Sequence, residues 1–261
     1  MAIHSPRRSN MGRGKQFFLK EKIMGISKVV GCAATVLFSA AIYLKKSGFT
    51  YTPIPLLVGA LVGFSVSIAS HPSINLPSLL GKRSDGSFPL WAKLIFGPYL
   101  VSVRLYAVLK RLKRRESLYN EVSENLYVGG WPTSPGQMPP GDPVVIDCTC
   151  ELPKGSFINK DAYFCIPLWD SRSPSPAQIE SAVRWACQKR AEKKPIYIHC
   201  ANGHGRSVCV MCALLVELGV AESWKDAEKM IGEKRPFIRM NAHHRKNLEE
   251  WTKQRITPKT G

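Results

Sequence analysis

Hydrophobic positions in this chain follow two different rhythms. In the first half they form long unbroken runs. Residues 29–44 carry no charge between Lys28 and Lys45, and residues 54–70 carry none between Pro53 and His71. These runs predict two helices, each a little short of the ~20 residues that span a bilayer; interfacial flanks and snorkelling lysines extend both. The short connection over residues 45–53 predicts a transmembrane helical hairpin, in which Gly59 and Gly63 offer a face for close helix approach. A third apolar stretch, residues 88–109, is interrupted by Lys93 and Arg104 and runs into Lys110-Arg111-Leu112-Lys113-Arg114-Arg115. It predicts an interfacial or third membrane-associated helix whose basic end meets anionic lipid head groups.

In the second half the apolar runs are short and alternate with amphipathic ones. Strands are predicted over 126–129, 144–148, 163–167 and 196–200, and helices over 176–192, 206–218, 224–233 and 242–255. Ser175, Pro176 and Gln178 form a capping box with proline in the first turn. Ser223 with Asp226 is a second cap signal, and Gly219 suits a helix end. Short buried strands between helices predict an α/β layer fold with a central, mostly parallel sheet flanked by helices.

Charge changes where the rhythm changes. Residues 1–115 hold 18 basic and 2 acidic residues, a net of +16, whereas residues 116–261 hold 19 and 17, a net of +2. Two regions are therefore expected: 1–115, with a basic N-terminus, the hairpin and the basic interfacial helix, and 116–261, a catalytic domain. Arg7, Arg8, Arg13, Lys15, Lys20, Lys22 and Lys28 precede the hairpin, Lys82 and Arg83 follow it, and only Lys45 and Lys46 lie at its tip. This bias predicts a multi-pass protein with both hairpin ends, and the catalytic domain, in the cytosol. Eight cysteines, mostly in apolar runs, do not read as a secreted disulfide framework. The basic, acid-poor stretch up to Glu21 also suits an organelle transit peptide, with Met11 and Met24 as alternative starts. Nucleic-acid binding fits poorly beside apolar helices, and no nucleic-acid partner is expected.

The densest chemistry lies in His199-Cys200-Ala201-Asn202-Gly203-His204-Gly205-Arg206-Ser207. A strand delivers Cys200 to the base of a turn. Gly203 and Gly205 let the backbone bend so that successive N–H groups face inward. The helix beginning near Arg206 adds the positive end of its dipole. Ala201, Asn202, Gly203, His204, Gly205 and Arg206 together form an anion cradle, in which the guanidinium matches two phosphate oxygens. The same field favours a Cys200 thiolate, able to attack phosphorus and form a phosphocysteine. Ser207 is placed to steady that thiolate as it departs, and His199 to orient the loop from behind. Asp170, at the end of a strand and before a flexible Ser/Pro stretch, is the candidate general acid, with a turn or cap aspartate as the alternative.

The HCANGHGRS loop resembles the signature of the Cys-x5-Arg protein tyrosine phosphatase superfamily, in its dual-specificity-like branch, over residues 120–256. Asn125-Leu126-Tyr127-Val128-Gly129-Gly130, Ile166-Pro167-Leu168-Trp169-Asp170 and Arg235-Pro236-Phe237-Ile238-Arg239-Met240-Asn241 resemble the family's opening strand, acid segment and closing segment. The resemblance implies Cys200 as nucleophile, Arg206 as phosphate ligand, Asp170 as general acid and then base, Ser207 as the aid to thiolate departure, and no metal or cofactor. It implies phosphotyrosine and phosphoserine/threonine on proteins as substrates. A phospholipid or phosphoinositide is the alternative, although the lysine-free loop weighs against highly charged head groups; an inactive, phosphate-binding membrane adaptor is the third reading. Cys148 and Cys150 read as packed core thiols, with reversible pairing of one of them to Cys200 as the alternative.

Overall fold

The computed structural model describes residues 25–256. The basic cluster from Arg7 to Lys22, the alternative starts Met11 and Met24, and the transit-peptide reading lie outside the described residues.

Two apolar helices come first, α1 (Ile26–Lys46) and α2 (Pro53–Ala69). They pack against one another through small residues. A side chain at Gly63 would strike Ala34, and one at Gly31 would strike Ser67. Ser27 Oγ donates to the Ser67 carbonyl (2.8 Å) and Ser67 Oγ to the Ser27 carbonyl (2.7 Å). The close approach thus uses Gly63 as expected, but its partner face is Ala34 and Gly31. Gly59 meets only Leu37 at ordinary contact. Among the described residues α1 alone is long and apolar enough to cross a membrane by length and composition; α2 is shorter, at 17 residues.

The third apolar stretch is two helices, α3 (Leu90–Ile95) and α4 (Gly97–Arg114). The break falls at Phe96-Gly97-Pro98, because Pro98 has no N–H to continue α3 and is well placed in a first turn. The solvent-facing side of α4 carries Val101, Leu105, Leu109 and Leu112, spaced three or four residues apart, all more than half exposed.

The second region is a five-stranded sheet of β1 (Tyr119–Ser123), β2 (Leu126–Gly129), β3 (Val144–Asp147), β4 (Tyr163–Cys165) and β5 (Ile196–His199), ordered β1-β2-β5-β3-β4. Only the β1–β2 pair is antiparallel. The polar edge strand β1, Tyr-Asn-Glu-Val-Ser, has no apolar alternation and goes unpredicted. Helices α5 (Pro176–Ala191), α6 (Arg206–Glu217), α7 (Trp224–Lys234) and α8 (Ala242–Ile256) flank the sheet. The capping box at Ser175 forms in full, and Ser223 caps α7 from Asp226 N–H. Strands β2, β3 and β5 and most of α6 are buried, so the core lies around β5, the strand that leads into Cys200.

Packing crosses the charge boundary. Trp169, fully buried, sits with Cys150 among Val66, Ala69, Leu80, Phe88, Ala92, Phe96 and Leu100. The segment bearing Asp170 therefore rests on the N-terminal helices. Arg172 Nη2 also donates to the Ser70 carbonyl (2.6 Å). Trp169→Ala is expected to cost about 3–5 kcal/mol through the cavity it leaves. Denaturant unfolding of the full chain in detergent measures this, and a loss below about 1 kcal/mol would mean that the two regions do not share this core.

Candidate active site

Strand β5 ends at His199, α6 begins at Arg206, and the six residues between them make the loop. Gly203 lies in the left-handed region at φ 73°, and a Cβ there would collide with the Gly129 backbone. The loop is thus pressed against the end of β2, which only glycine permits. Gly205, expected to share this role, has φ −134° and uses no such freedom.

The loop carbonyls are tied outward. Arg235, 2% exposed, donates from Nε to the Gly203 carbonyl (2.9 Å) and from Nη2 to the Asn202 carbonyl (2.9 Å). Arg239 N–H donates to the His204 carbonyl (2.6 Å). Arg235 is itself held by Asn120 Oδ1 (2.7 Å) and Glu116 (2.8 Å). With the carbonyls turned away, amide hydrogens turn toward the sulfur: Gly203 N–H donates to Cys200 Sγ at 3.2 Å.

Burial alone would raise the Cys200 thiol. The Arg206 guanidinium, the Ser207 hydroxyl and N–H, and the His204 N–H outweigh burial and hold it below the ordinary thiol value. Ser207 Oγ lies 3.4 Å from Sγ. His199 sits behind the loop, its Nδ1 at 3.4 Å from the Cys200 carbonyl oxygen. Burial lowers its basicity against the pull of Asp147, so the ring stays neutral.

Arg206 is 2% exposed and both of its terminal nitrogens are engaged. Nη2 and Nη1 reach the two Glu151 carboxylate oxygens at 2.9 and 3.1 Å. Nη1 also donates to the Leu168 carbonyl (2.7 Å), and Nη2 to Asp170 Oδ1 (3.2 Å). Burial opposes this cation, but Glu151, then Asp170 and Cys200, hold it firmly charged. Its Nε is buried without a hydrogen-bond partner among the described residues, and so are His244 Nε2 and the Tyr99 hydroxyl. An orphaned guanidinium donor beside a lowered thiol is what a tetrahedral anion would satisfy. Asp170 stands beside Arg206, its side chain 45% exposed.

The structure thus brings together Cys200, Arg206, Ser207, His199 and Asp170. The His204 side chain turns elsewhere: its Nε2 meets the Glu116 carboxylate at 2.7 Å, so only its backbone joins the cradle. Cys148 and Cys150 are buried free thiols, both pushed up by burial first, Cys148 further by Cys200 and Cys150 by Glu151. Glu151, Arg235, Tyr99 and His244 are the neighbours that sequence reasoning missed. The one available signal for Glu151 was an acidic residue in the otherwise uncharged run Cys148-Thr149-Cys150-Glu151-Leu152.

Residues 140–254 match the family model described as dual specificity phosphatase, catalytic domain. The C-terminal region carries a dual-specificity phosphatase-family catalytic domain. Among solved structures, this phosphatase region is similar to PTPMT1 in complex with PI(5)P, at 20% identity over 52% of this chain and 96% of that one, TM-score 0.47. It is also similar to human DUSP28, at 16% identity over 54% and 96%, TM-score 0.46. A third is the human tyrosine phosphatase-like serine/threonine/tyrosine-interacting protein, at 17% identity over 53% and 98%, TM-score 0.45. No curated protein matches the chain.

Proposed function

We propose that this chain is a membrane-anchored, cysteine-dependent phosphatase that hydrolyses phosphotyrosine and phosphoserine/threonine monoesters on proteins beside a membrane. The observation that carries the reading is the Cys200 sulfur held below its ordinary proton affinity beside an orphaned Arg206 Nε. The Cys200 thiolate attacks phosphorus, the P–O ester bond breaks, and Asp170 in its acid form gives its proton to the leaving oxygen. Arg206 and the loop amides carry the charge on the equatorial oxygens. Asp170, now a carboxylate, takes a proton from the water that attacks the phosphocysteine. The S–P bond breaks, phosphate leaves, and the Ser207 hydroxyl hydrogen-bonds to the departing thiolate.

Anchoring is supported by the apolar length of α1 and by exposed apolar side chains on α1, α2 and α4, among them Val36, Leu61 and Leu105. In this reading α1 and α2 form the transmembrane hairpin and α4 lies in the interface on an anionic lipid surface. Both hairpin ends and the phosphatase region then face the cytosol. A second substrate class, a phospholipid or phosphoinositide head group, is favoured by one observation. Lys110, Arg111 and Arg114 of α4 line a small crevice with Glu116, Ala201, Asn202 and His204, which puts basic side chains beside the loop, although neither Cys200 nor Arg206 lines it.

The test uses the full chain in lipid nanodiscs, given phosphopeptides and phospholipids side by side. Acid quenching during turnover of a labelled ester is expected to trap label on Cys200. Turnover without any sulfur–phosphorus adduct would refute the mechanism. A strong preference for lipids would replace the protein substrate and leave the mechanism standing.

A further inference from the structure

One buried cation in the phosphatase region comes from outside it. Lys82 lies between α2 and α3, far in sequence from the residues that match the family model. Expected to contribute to the basic cytosolic flank, it is instead inserted behind the nucleophile loop. Its Nζ donates to Asp147 Oδ2 (2.7 Å), the Thr149 carbonyl (2.8 Å) and Thr149 Oγ1 (3.3 Å), with the two charged side chains 1% and 0% exposed. Asp147 is fully buried. Its other partners are the Tyr163 hydroxyl (2.7 Å), Thr149 N–H (2.9 Å) and Thr149 Oγ1 (2.7 Å).

Asp147 is also where the sheet meets the chemistry. It is the last residue of β3 and pairs in register with His199, the last of β5, and with Cys165 on β4. Its Oδ1 lies 4.0 Å from His199 Nδ1, and the next residue along is Cys200. Cys148 N–H donates to the His199 carbonyl (2.8 Å), so β3 and β5 leave the sheet together. A carboxylate with this little solvent needs a counter-charge. Without one it would either take a proton or hand the need to His199.

We propose that Lys82 is a positioning residue for Cys200: an ammonium delivered by the membrane-proximal segment fixes Asp147 against His199 and Thr149, and so links docking of that segment to the shape of the nucleophile loop. The burial of Trp169 and the Arg172–Ser70 bond make the same connection on the acid side of the site. The segment that carries Lys82, which follows a short 3-10 turn at Pro77–Leu80, is accordingly part of the catalytic unit. The groups facing His199 are Asp147 from β3, Lys82, Arg206 from α6 and Tyr197 on its own strand, with Tyr163 and Cys165 of β4 beyond Asp147. Lys82 acts on Asp147 most strongly: burial disfavours both charges, and each holds the other ionised.

The inference rests on the phosphatase reading for its kinetic arm only. The full chain in nanodiscs is compared as wild type, Lys82→Met, Lys82→Arg and the double variant Lys82→Met with Asp147→Asn. Thermal melting, kcat and KM on a phosphate monoester, and the rate of Cys200 alkylation by iodoacetamide are measured for each. Lys82→Met is expected to lower kcat by about tenfold to a hundredfold with little change in KM, the scale of a misplaced reacting group. Lys82→Arg restores most of it. The double variant removes both buried charges, which a fold tolerates far better than one. It is expected to recover its melting temperature but not its kcat, and its Cys200 is alkylated more slowly at neutral pH. It carries the test where Lys82→Met does not fold. A double variant that regains kcat together with stability, or a folded Lys82→Met with wild-type kcat and alkylation, overturns the proposal. A wild-type chain without turnover refutes the phosphatase reading instead, and the alkylation rates still decide the role of Lys82.

Discussion

Replacing Cys200 with serine is expected to abolish turnover while leaving oxyanion binding intact. The substitution exchanges a sulfur held below its ordinary proton affinity for a hydroxyl that no group in the loop can ionise at neutral pH. Arg206 and the loop amides that hold the anion are untouched, because the Gly203 N–H reaches the sulfur as a donor and finds an oxygen acceptor in its place. Losing a nucleophile of this kind removes about four orders of magnitude or more from kcat. Vanadate or inorganic phosphate, followed by calorimetry on the full chain, is expected to bind Cys200→Ser within a few-fold of wild type. Two results count against the reading. Residual turnover within about tenfold of wild type would place the reacting group elsewhere. A wild-type chain that binds phosphate but turns nothing over would identify a phosphate-binding adaptor.

How much of this was legible in the sequence divides along a physical line. The loop was legible because its groups are local: thiol, guanidinium, hydroxyl and strand-to-helix turn all fall within nine consecutive residues, 199–207. The parallel strands were legible because burial on both faces writes them as short apolar runs. The polar edge strand β1 was not, since solvent covers one side of it and its pairing with β2 is what defines it. The α3–α4 break was present in Gly97-Pro98 but masked by the continuous hydrophobicity around it.

What stayed hidden is the support that arrives from a distance. Lys82 reads as one more basic residue after an apolar run, and only folding turns it into the partner of Asp147, 65 positions away. Arg235 belongs to a stretch that resembles the family's closing segment, yet its task of drawing three loop and flank carbonyls outward is visible only in space. Such residues carry no pattern of their own. Their signal is a charge that burial makes expensive and that therefore must be answered by another charge.

Glu151 is the sharpest instance, and its removal is expected to damage stability and catalysis together. Its carboxylate grips both Nη atoms of Arg206, and its Oε2 also accepts the Cys150 N–H at 3.1 Å. Glu151→Ala leaves a buried guanidinium with only the Leu168 carbonyl and the half-exposed Asp170 as partners. Breaking one side of such a pair costs about 3–5 kcal/mol. The freed Arg206 then turns toward Asp170 or the Cys200 sulfur and no longer presents Nε to an incoming ester, so kcat/KM is expected to fall by about a hundredfold or more. Glu151→Gln keeps the shape and one acceptor. It is expected to fold less stably than wild type but better than Glu151→Ala, and still to lose activity, because the charge that aims the fork is gone. Chemical denaturation and steady-state kinetics on the same preparations separate the two losses. If Glu151→Gln keeps wild-type kcat/KM, the carboxylate serves the fold alone and Arg206 finds its aim from the loop and the Leu168 carbonyl.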